Sequence, residues 1–220
     1  MHPTTLGHWY EARAHASCSA PQRYLRYSHP EPLDRIHRCS ANIQSPYSSS
    51  RIALGIYNPL VLKWFTRSWQ ANNQLKALNA FCEDFEKDFN VKINHKKHIY
   101  KFLESNYSIN NWNEKQSSPN RRPFMSEELK YLDGIKNPFG VVLQSGWVDT
   151  KLMLDSFRVF LKKNNFLNEG DFFYDKINVK KDFIEYENFV SKYMVFCEGA
   201  SVVNNPYFNN LGFKMTKGEI

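Results

Sequence analysis

The sequence predicts a mixed α/β (α+β) fold, and three features from residue 68 onward carry that prediction. Apolar residues between positions 68 and 89 recur in steps of three and four, which is the spacing of one helical face. A second helical pattern follows Asp149, and several short strand-like runs follow that helix. The apolar residues of the first helix are Leu75, Leu78, Phe81, Phe85 and Phe89. We expect the first four of them to be buried on one face.

The elements of the first half are separated by Ser, Asn and Pro. A serine-rich turn at 48–50 precedes an apolar stretch, which Asn58 and Pro59 interrupt. We expect the apolar stretch at 52–65, followed by the helix at 68–89. The alternating Val91, Ile93 and His95 then predict a strand. A polar loop at 104–123 and a strand at 140–144 follow.

The second half is expected to consist of one helix and a series of strands. Asp149 is expected to cap the helix, because a carboxylate at that position accepts a first-turn N–H. Lys162 and Lys163 suit the other end, where the helix dipole is negative. Its apolar face is Leu152, Phe157, Phe160 and Leu161. The predicted strands are 172–174, 177–179, 183–186 and a buried strand at 193–197 that runs into Gly199.

Residues 1–45 differ in composition from the rest of the chain. Every lysine lies at or after Lys63 and every phenylalanine at or after Phe65, whereas the early segment is rich in Arg, His, Pro, Ser and Ala. A frame error or fusion, a disordered arm and an Arg-rich targeting peptide all give such a composition. We therefore expect no strand–helix–strand unit of a dinucleotide fold in residues 1–45. Their Cys and His residues lack the paired spacing of a metal site.

Composition excludes several classes of protein. None of the apolar runs in the 220 residues approaches the roughly 20 residues of a membrane span. The four cysteines are widely spaced without a C-x-x-C pair, which favours a reducing, cytoplasmic setting over a disulfide framework. The net charge is +7, but the basic residues are scattered, so nucleic acid is not the expected partner. The cysteines are Cys18, Cys39, Cys82 and Cys197.

Two segments have the chemistry to approach a phosphate-bearing ligand. The run of residues 49–59 offers hydroxyls at Ser49 and Ser50 and a cation at Arg51, all of which can contact phosphate. The predicted strand at 193–197 ends in Gly199, where the missing side chain lets backbone approach a ligand closely. The first segment can equally be an ordinary surface loop. The second can equally be an ordinary core strand followed by a turn.

Taken together and in order, these segments resemble the FAD-dependent oxidoreductases of the D-amino-acid oxidase, glycine oxidase and sarcosine oxidase group. The similarity covers most of the chain from about Ser48 to Ile220. Its motifs are Ser-Ser-Arg-Ile-Ala-Leu-Gly-Ile-Tyr-Asn-Pro-Leu-Val-Leu-Lys-Trp-Phe-Thr at 49–66, Ser-Gly-Trp-Val-Asp at 145–149, Phe-Cys-Glu-Gly-Ala at 196–200, Asn-Pro-Tyr-Phe at 205–208 and Thr-Lys-Gly-Glu at 216–219.

The resemblance implies a flavoprotein with a Rossmann-like FAD-binding domain interleaved with a mixed-sheet substrate domain. It divides the chain into an FAD-binding part at 46–62 and 141–203 and a substrate part at 63–140 and 204–220. Hydride would pass from an amine or amino-acid C–H to the flavin, whose chemistry the protein positions. The residues that it implies near FAD are Ser49, Ser50, Arg51, Ala53, Gly55, Ile56, Tyr174, Cys197, Glu198 and Gly199.

The sequence departs from that family in two ways. It contains no G-x-G-x-x-G, the turn that places a pyrophosphate on a helix N-terminus. It also stops where the family continues, so we expect a fragment, assign no catalytic residue and expect FAD to bind weakly or not at all. A non-catalytic remnant and a basic binding module are the alternative functions.

Overall fold

A computed structural model describes residues 49–214 of the chain. Within them, residues 50–156 form one compact unit (the first unit) and residues 157–214 belong to another (the second unit). The predictions for residues 1–45 and the motif at 216–219 lie outside the described residues. The predicted division into FAD-binding and substrate domains stays a prediction.

The first unit combines helices with short antiparallel strands. Its strands form a three-stranded sheet in the order β1-β7-β4 and two pairs, β2 with β3 and β5 with β6. A single 3₁₀ turn lies at Arg122–Phe124. The elements are α1 (Ser49–Ile52), β1 (Ile56–Tyr57), β2 (Leu60–Val61), β3 (Thr66–Arg67), α2 (Ala71–Phe89), β4 (Asn94–Lys96), β5 (Ile99–Phe102), α3 (Asn106–Gln116), β6 (Phe139–Val142), β7 (Gly146–Val148) and α4 (Thr150–Lys163), which ends in the second unit.

The described part of the second unit contains one antiparallel sheet, in the order β10-β9-β8. Its strands are β8 (Ile177–Val179), β9 (Ile184–Tyr186) and β10 (Phe189–Ser191), and 3₁₀ turns lie at Tyr174–Lys176 and Gly199–Asn204. This mixture of helices and strands confirms the coarse prediction of a mixed α/β fold. None of the described helices is long and apolar enough to cross a membrane.

Helix α2 forms where the periodicity predicts it, but its buried face is rotated. Leu75 and Phe85 are buried as expected, Leu78 is half-buried and Phe81 is 41% exposed. Ala71 and Cys82 take the remaining core positions, because small side chains allow the helix to lie close to its neighbours. The expected burial of Phe81 is therefore wrong.

Helix α3 replaces the loop predicted at 104–123. Ser105 caps it: its hydroxyl accepts the N–H of Ser108, whose own hydroxyl accepts the N–H of Ser105. Trp112 is fully buried and meets Phe65 edge-on, with ring centroids 5.2 Å apart. The burial of one large ring outweighs the weak helix propensity of the Asn and Ser residues around it.

Helix α4 begins where the sequence predicts. The Asp149 carboxylate accepts the N–H of Leu152 at 2.8 Å, which confirms the cap. Leu161 is buried on its inner face, whereas Leu152 is 36% exposed. The strand prediction at 91–95 is shifted by a few residues, to β4, while those at 140–144, 177–179 and 183–186 correspond to β6, β8 and β9.

Two predicted strands are wrong. The predicted strand at 172–174 is absent, and Tyr174 begins a 3₁₀ turn. Residues 193–197 also form no strand, and Tyr193 and Val195 are 72% and 81% exposed. β9 lies between β8 and β10 in the sheet, and residues 193–197 pair with none of these three strands. A strand without a pairing partner leaves its backbone groups unsatisfied, so the apolar run alone does not suffice.

Candidate functional site

The first unit contains an open cleft of about 490 Å³ between β1, β7, the first turn of α4 and residues 97–99. We refer to it as the cleft. Three of the residues predicted near FAD line it, namely Arg51, Ala53 and Ile56. Ser49 and Ser50 are exposed on α1, and neither they nor Gly55 belong to the lining.

Backbone hydrogen bonds join residues 53–56 to residues 146–150 and thereby form the cleft. Ile56 pairs with Trp147 in the β1-β7 ladder, and the Gly55 carbonyl accepts the N–H of Val148 at 3.0 Å. The Thr150 hydroxyl donates to the Ala53 carbonyl at 3.1 Å. Two segments that are far apart in sequence are thus held together by backbone hydrogen bonds and one side-chain hydrogen bond.

Gly55 permits this close approach. Its φ is +64°, a left-handed conformation that glycine adopts without strain, and a Cβ there would lie 2.0 Å from the Val148 carbonyl oxygen. Any other residue at position 55 would push β1 away from β7. Gly55 was predicted to lie near the isoalloxazine ring, and the structure gives it a role in the pairing of β1 with β7.

The apolar side of the cleft is formed by aliphatic and aromatic side chains. Leu54 and Ile56 are 54% and 58% exposed, so part of their apolar surface is accessible along the cleft. Trp147 lies beside Ile56, and His95 stacks on it with ring centroids 4.1 Å apart and an interplanar angle of 15°. This stack limits the rotamers open to Trp147 and gives that side of the cleft a fixed shape.

The charged side of the cleft contains Arg51, Lys97, Lys151 and the carboxylate of Asp149. Arg51 pairs with Asp155 at 2.6 Å, and Lys151 reaches the other oxygen of that carboxylate at 3.3 Å. The hydrogen bond from Arg51, reinforced by Lys151, holds the pKa of Asp155 below its ordinary value. Arg51 was predicted to add charge near a phosphate, and much of its charge is neutralised here by Asp155.

Residues 97 and 98 form a two-residue corner between β4 and β5, and Ser145 fixes it. The Ser145 hydroxyl lies 2.9 Å from the carbonyl oxygens of both Lys97 and Val142, which share its single hydrogen, and it accepts the N–H of Ile99 at 3.1 Å. The Lys97 N–H in turn donates to the Ser145 carbonyl at 3.1 Å. Because Ser145 is only 2% exposed, water does not compete for these bonds.

The remaining predicted cofactor residues lie in the second unit. The Tyr174 hydroxyl donates to the Glu198 carboxylate, whose second oxygen accepts the side-chain N–H of the fully buried Asn205 at 2.7 Å. The hydrogen bond to Glu198 raises the pKa of Tyr174 to about 12. Two residues predicted to touch FAD thus bond to each other, and the Glu198 side chain serves the fold.

The other two positions in this segment are open to solvent. Cys197 is an exposed free thiol. Gly199 has φ of +57°, and apart from its chain neighbours no described residue has an atom within 4 Å of the position that a Cβ would take. The turn at Gly199 is thus present, although the strand that was predicted to lead into it is not.

Lys97, His98 and Thr150 line the cleft but were not among the predicted site residues. The sequence signal was weak, because Lys96 and Lys97 resembled the other scattered basic pairs of the chain.

Within residues 49–214, no group of three or more His, Cys, Asp or Glu side chains is arranged to hold a metal ion. No protein-family model matches the sequence, and no solved structure matches it significantly.

Proposed function

We propose that this chain derives from an FAD-dependent oxidoreductase that passes hydride from an amine or amino acid to flavin, and that the cleft holds the isoalloxazine ring. The observation that carries the proposal is the meeting of two motifs. The family-like segments at 49–59 and 145–149 are joined along β1 and β7 and line the same cleft. The flavin supplies the redox chemistry when bound, and the protein positions and shields it.

The apolar residues of the cleft fit the flat dimethylbenzene part of the isoalloxazine ring. Leu54, Ile56 and Trp147 provide apolar surface, and the paired strands hold that surface in place. The volume of about 490 Å³ lies within the range of ordinary cofactor pockets, which runs from roughly 300 to 1,000 Å³. Ring burial against these side chains would supply hydrophobic affinity and exclude water from one face of the ring.

The polar atoms around this surface are mostly in use within the fold. The Ala53 and Gly55 carbonyls already accept hydrogen bonds from Thr150 and Val148. Ring binding in the cleft would therefore depend on apolar contact more than on new hydrogen bonds, which favours modest affinity. The missing G-x-G-x-x-G removes the usual pyrophosphate site from the sequence, which favours weak binding of the dinucleotide as well.

Equilibrium titration of FAD fluorescence with purified protein tests this proposal. We expect saturable quenching with a dissociation constant of about 0.1 mM, or about −5.5 kcal/mol. Ile56→Glu places a carboxylate on the apolar side of the cleft and should weaken binding at least tenfold. Val61→Glu is the matched control, because Val61 is also an exposed residue of a two-residue strand in the same unit, away from the cleft lining.

The possible outcomes separate the proposal from its alternatives. Equal weakening by both variants would show that binding does not depend on the cleft. Absence of saturable quenching up to about 1 mM FAD would overturn the flavin proposal and favour a non-catalytic remnant. Salt-sensitive binding to nucleic acid without flavin binding would favour the basic binding module.

A further inference from the structure

We infer that the corner at Lys97 and His98 is an anion subsite of the cleft, and that it binds the phosphate of a flavin mononucleotide. This inference rests on the proposed function, since it assigns the phosphate next to the ribityl chain of the flavin whose ring the cleft would hold. It moves the predicted phosphate contact from Arg51 to a different segment of the chain. The argument depends on charge, on rigidity and on the neighbouring apolar surface.

The distribution of charge singles out Lys97. Arg51 and Lys151 share the carboxylate of Asp155, at 2.6 and 3.3 Å. The Asp149 carboxylate, which also lines the cleft, accepts the Leu152 N–H at the start of α4. Lys97 makes no ion pair with any of the residues described by the structure, so none of the described carboxylates neutralises its ammonium. An isolated ammonium beside an apolar surface is suited to a phosphate or carboxylate.

The corner is held rigidly, which favours anion binding. Ser145 bonds the backbone on both sides of His98, through the N–H and carbonyl of Lys97 and the N–H of Ile99. The corner has only two residues between β4 and β5, and both strands are paired in sheets. The backbone therefore loses little freedom when the ligand binds, and the affinity lost to ordering is small.

The position of the corner within the cleft identifies the ligand class. Ile99, Trp147 and Ile56 line the same cleft as Lys97 and His98. A ligand that satisfies both surfaces has an apolar ring system and one anionic group on a short connection. Among flavins, the mononucleotide has this form, because its single phosphate ends the ribityl chain, whereas riboflavin lacks the anion.

Comparison of riboflavin with flavin mononucleotide, by fluorescence titration of the whole chain, tests the subsite. We expect the mononucleotide to bind about tenfold more tightly, which corresponds to about 1.4 kcal/mol. Lys97→Gln should reduce this preference to about twofold or less while leaving riboflavin affinity unchanged. His98→Gln should reduce it in part. Lys76→Gln, which removes one exposed charge from α2 in the same unit, should leave the preference intact.

Competition with inorganic phosphate provides a second measurement. Millimolar phosphate should weaken binding of the mononucleotide and leave riboflavin binding unchanged, because only the former uses the subsite. Equal affinity for the two flavins, or loss of the preference in Lys76→Gln as much as in Lys97→Gln, would overturn the subsite. If neither flavin binds, the proposed function fails. In that case a chemical-shift change at His98 on addition of phosphate alone would still support an anion site, and its absence would overturn that too.

Discussion

Glu86 connects the end of α2 to the start of β4, and its removal should destabilise the first unit. One carboxylate oxygen accepts hydrogen bonds from the N–H groups of Ile93 and Asn94, at 2.9 and 2.7 Å. The other oxygen accepts a hydrogen bond from the Lys92 ammonium at 2.9 Å. The side chain is only 17% exposed, and Ile93 is fully buried. β4 pairs with β7, so the same contact supports a strand that lines the cleft.

The expected cost follows from the two backbone donors. Glu86→Ala leaves both N–H groups without their acceptor, and each buried unsatisfied donor costs about 1–3 kcal/mol. Partial entry of water near the exposed Lys92 reduces the total, so we expect a loss of about 2–4 kcal/mol. Glu86→Gln keeps a neutral acceptor oxygen for the two N–H groups but loses the negative charge. It should lower the free energy of unfolding by about 1–2 kcal/mol, because hydrogen bonds to a charged acceptor are stronger than those to a neutral one.

The same contact predicts a dependence on pH. Burial alone would raise the pKa of Glu86, but the hydrogen bonds from Asn94, Lys92 and Ile93 outweigh it and hold the pKa below the ordinary value of 4.5. A lowered folded-state pKa contributes stability that is present above the unfolded-state pKa and is lost as pH falls through the folded-state value. The stability difference between wild type and Glu86→Gln should therefore be constant near neutral pH and shrink below pH 4.5.

Urea unfolding followed by circular dichroism measures these changes. At a slope of about 1–3 kcal/mol per molar urea, Glu86→Ala should lower the midpoint by about 1 M or more. Glu83→Ala is the control, because Glu83 is exposed on the same helix. A Glu86→Ala midpoint that matches that of Glu83→Ala, or a Glu86→Gln difference that grows toward acid, would refute the reasoning.

Three further predictions concern packing and the second unit. Gly140→Ala should cost at least about 1–3 kcal/mol in urea unfolding, because the new Cβ would lie 2.5 Å from the buried Trp112 ring, whereas Gly170→Ala, with open space around it, should be nearly neutral. Phe85→Ala should cost about 3–5 kcal/mol and the partly exposed Phe81→Ala only about 1–2; equal costs would contradict the observed rotation of α2. Glu198→Gln should lower the pKa of Tyr174 from about 12 toward 10.0 in a spectroscopic alkaline titration, while Glu187→Gln leaves it unchanged; a value that stays near 12 in Glu198→Gln would contradict the assigned hydrogen bond.

The sequence predicted those elements that local chemistry determines. The Asp149 cap needs only a carboxylate three residues before the N–H that it accepts, and this spacing is visible in the sequence. The periodicity of α2 was equally visible. Its rotation was not, because the choice between Phe81 and Cys82 as core residues depends on the shape of the neighbouring surface.

Features determined by distant residues were missed. α3 depends on the burial of Trp112 against Phe65, and its Asn-rich sequence predicts a loop when read alone. The run at 193–197 has the composition of a strand, but none of the described strands pairs with it. Composition records neither of these tertiary contacts.

The candidate site shows the same limit. Gly55 and Ile56 were predicted from a motif, and the structure places both in the segment paired with β7. The neutralisation of Arg51 depends on Asp155, and the rigidity of Lys97 and His98 depends on Ser145, residues that are far away in sequence. Electrostatic roles of this kind need the folded arrangement, since an isolated residue type does not reveal its partner.

A crystal structure of the protein grown with millimolar flavin mononucleotide tests the central claim most directly. We expect density for the isoalloxazine ring against Ile56 and Trp147, with the phosphate at the corner formed by Lys97 and His98. Density for the ring alone in the cleft, with the phosphate directed away from Lys97, would retain the flavin site and reject the anion subsite. A flavin bound elsewhere on the chain, with the cleft filled by solvent, would contradict the proposal that the cleft is a flavin site.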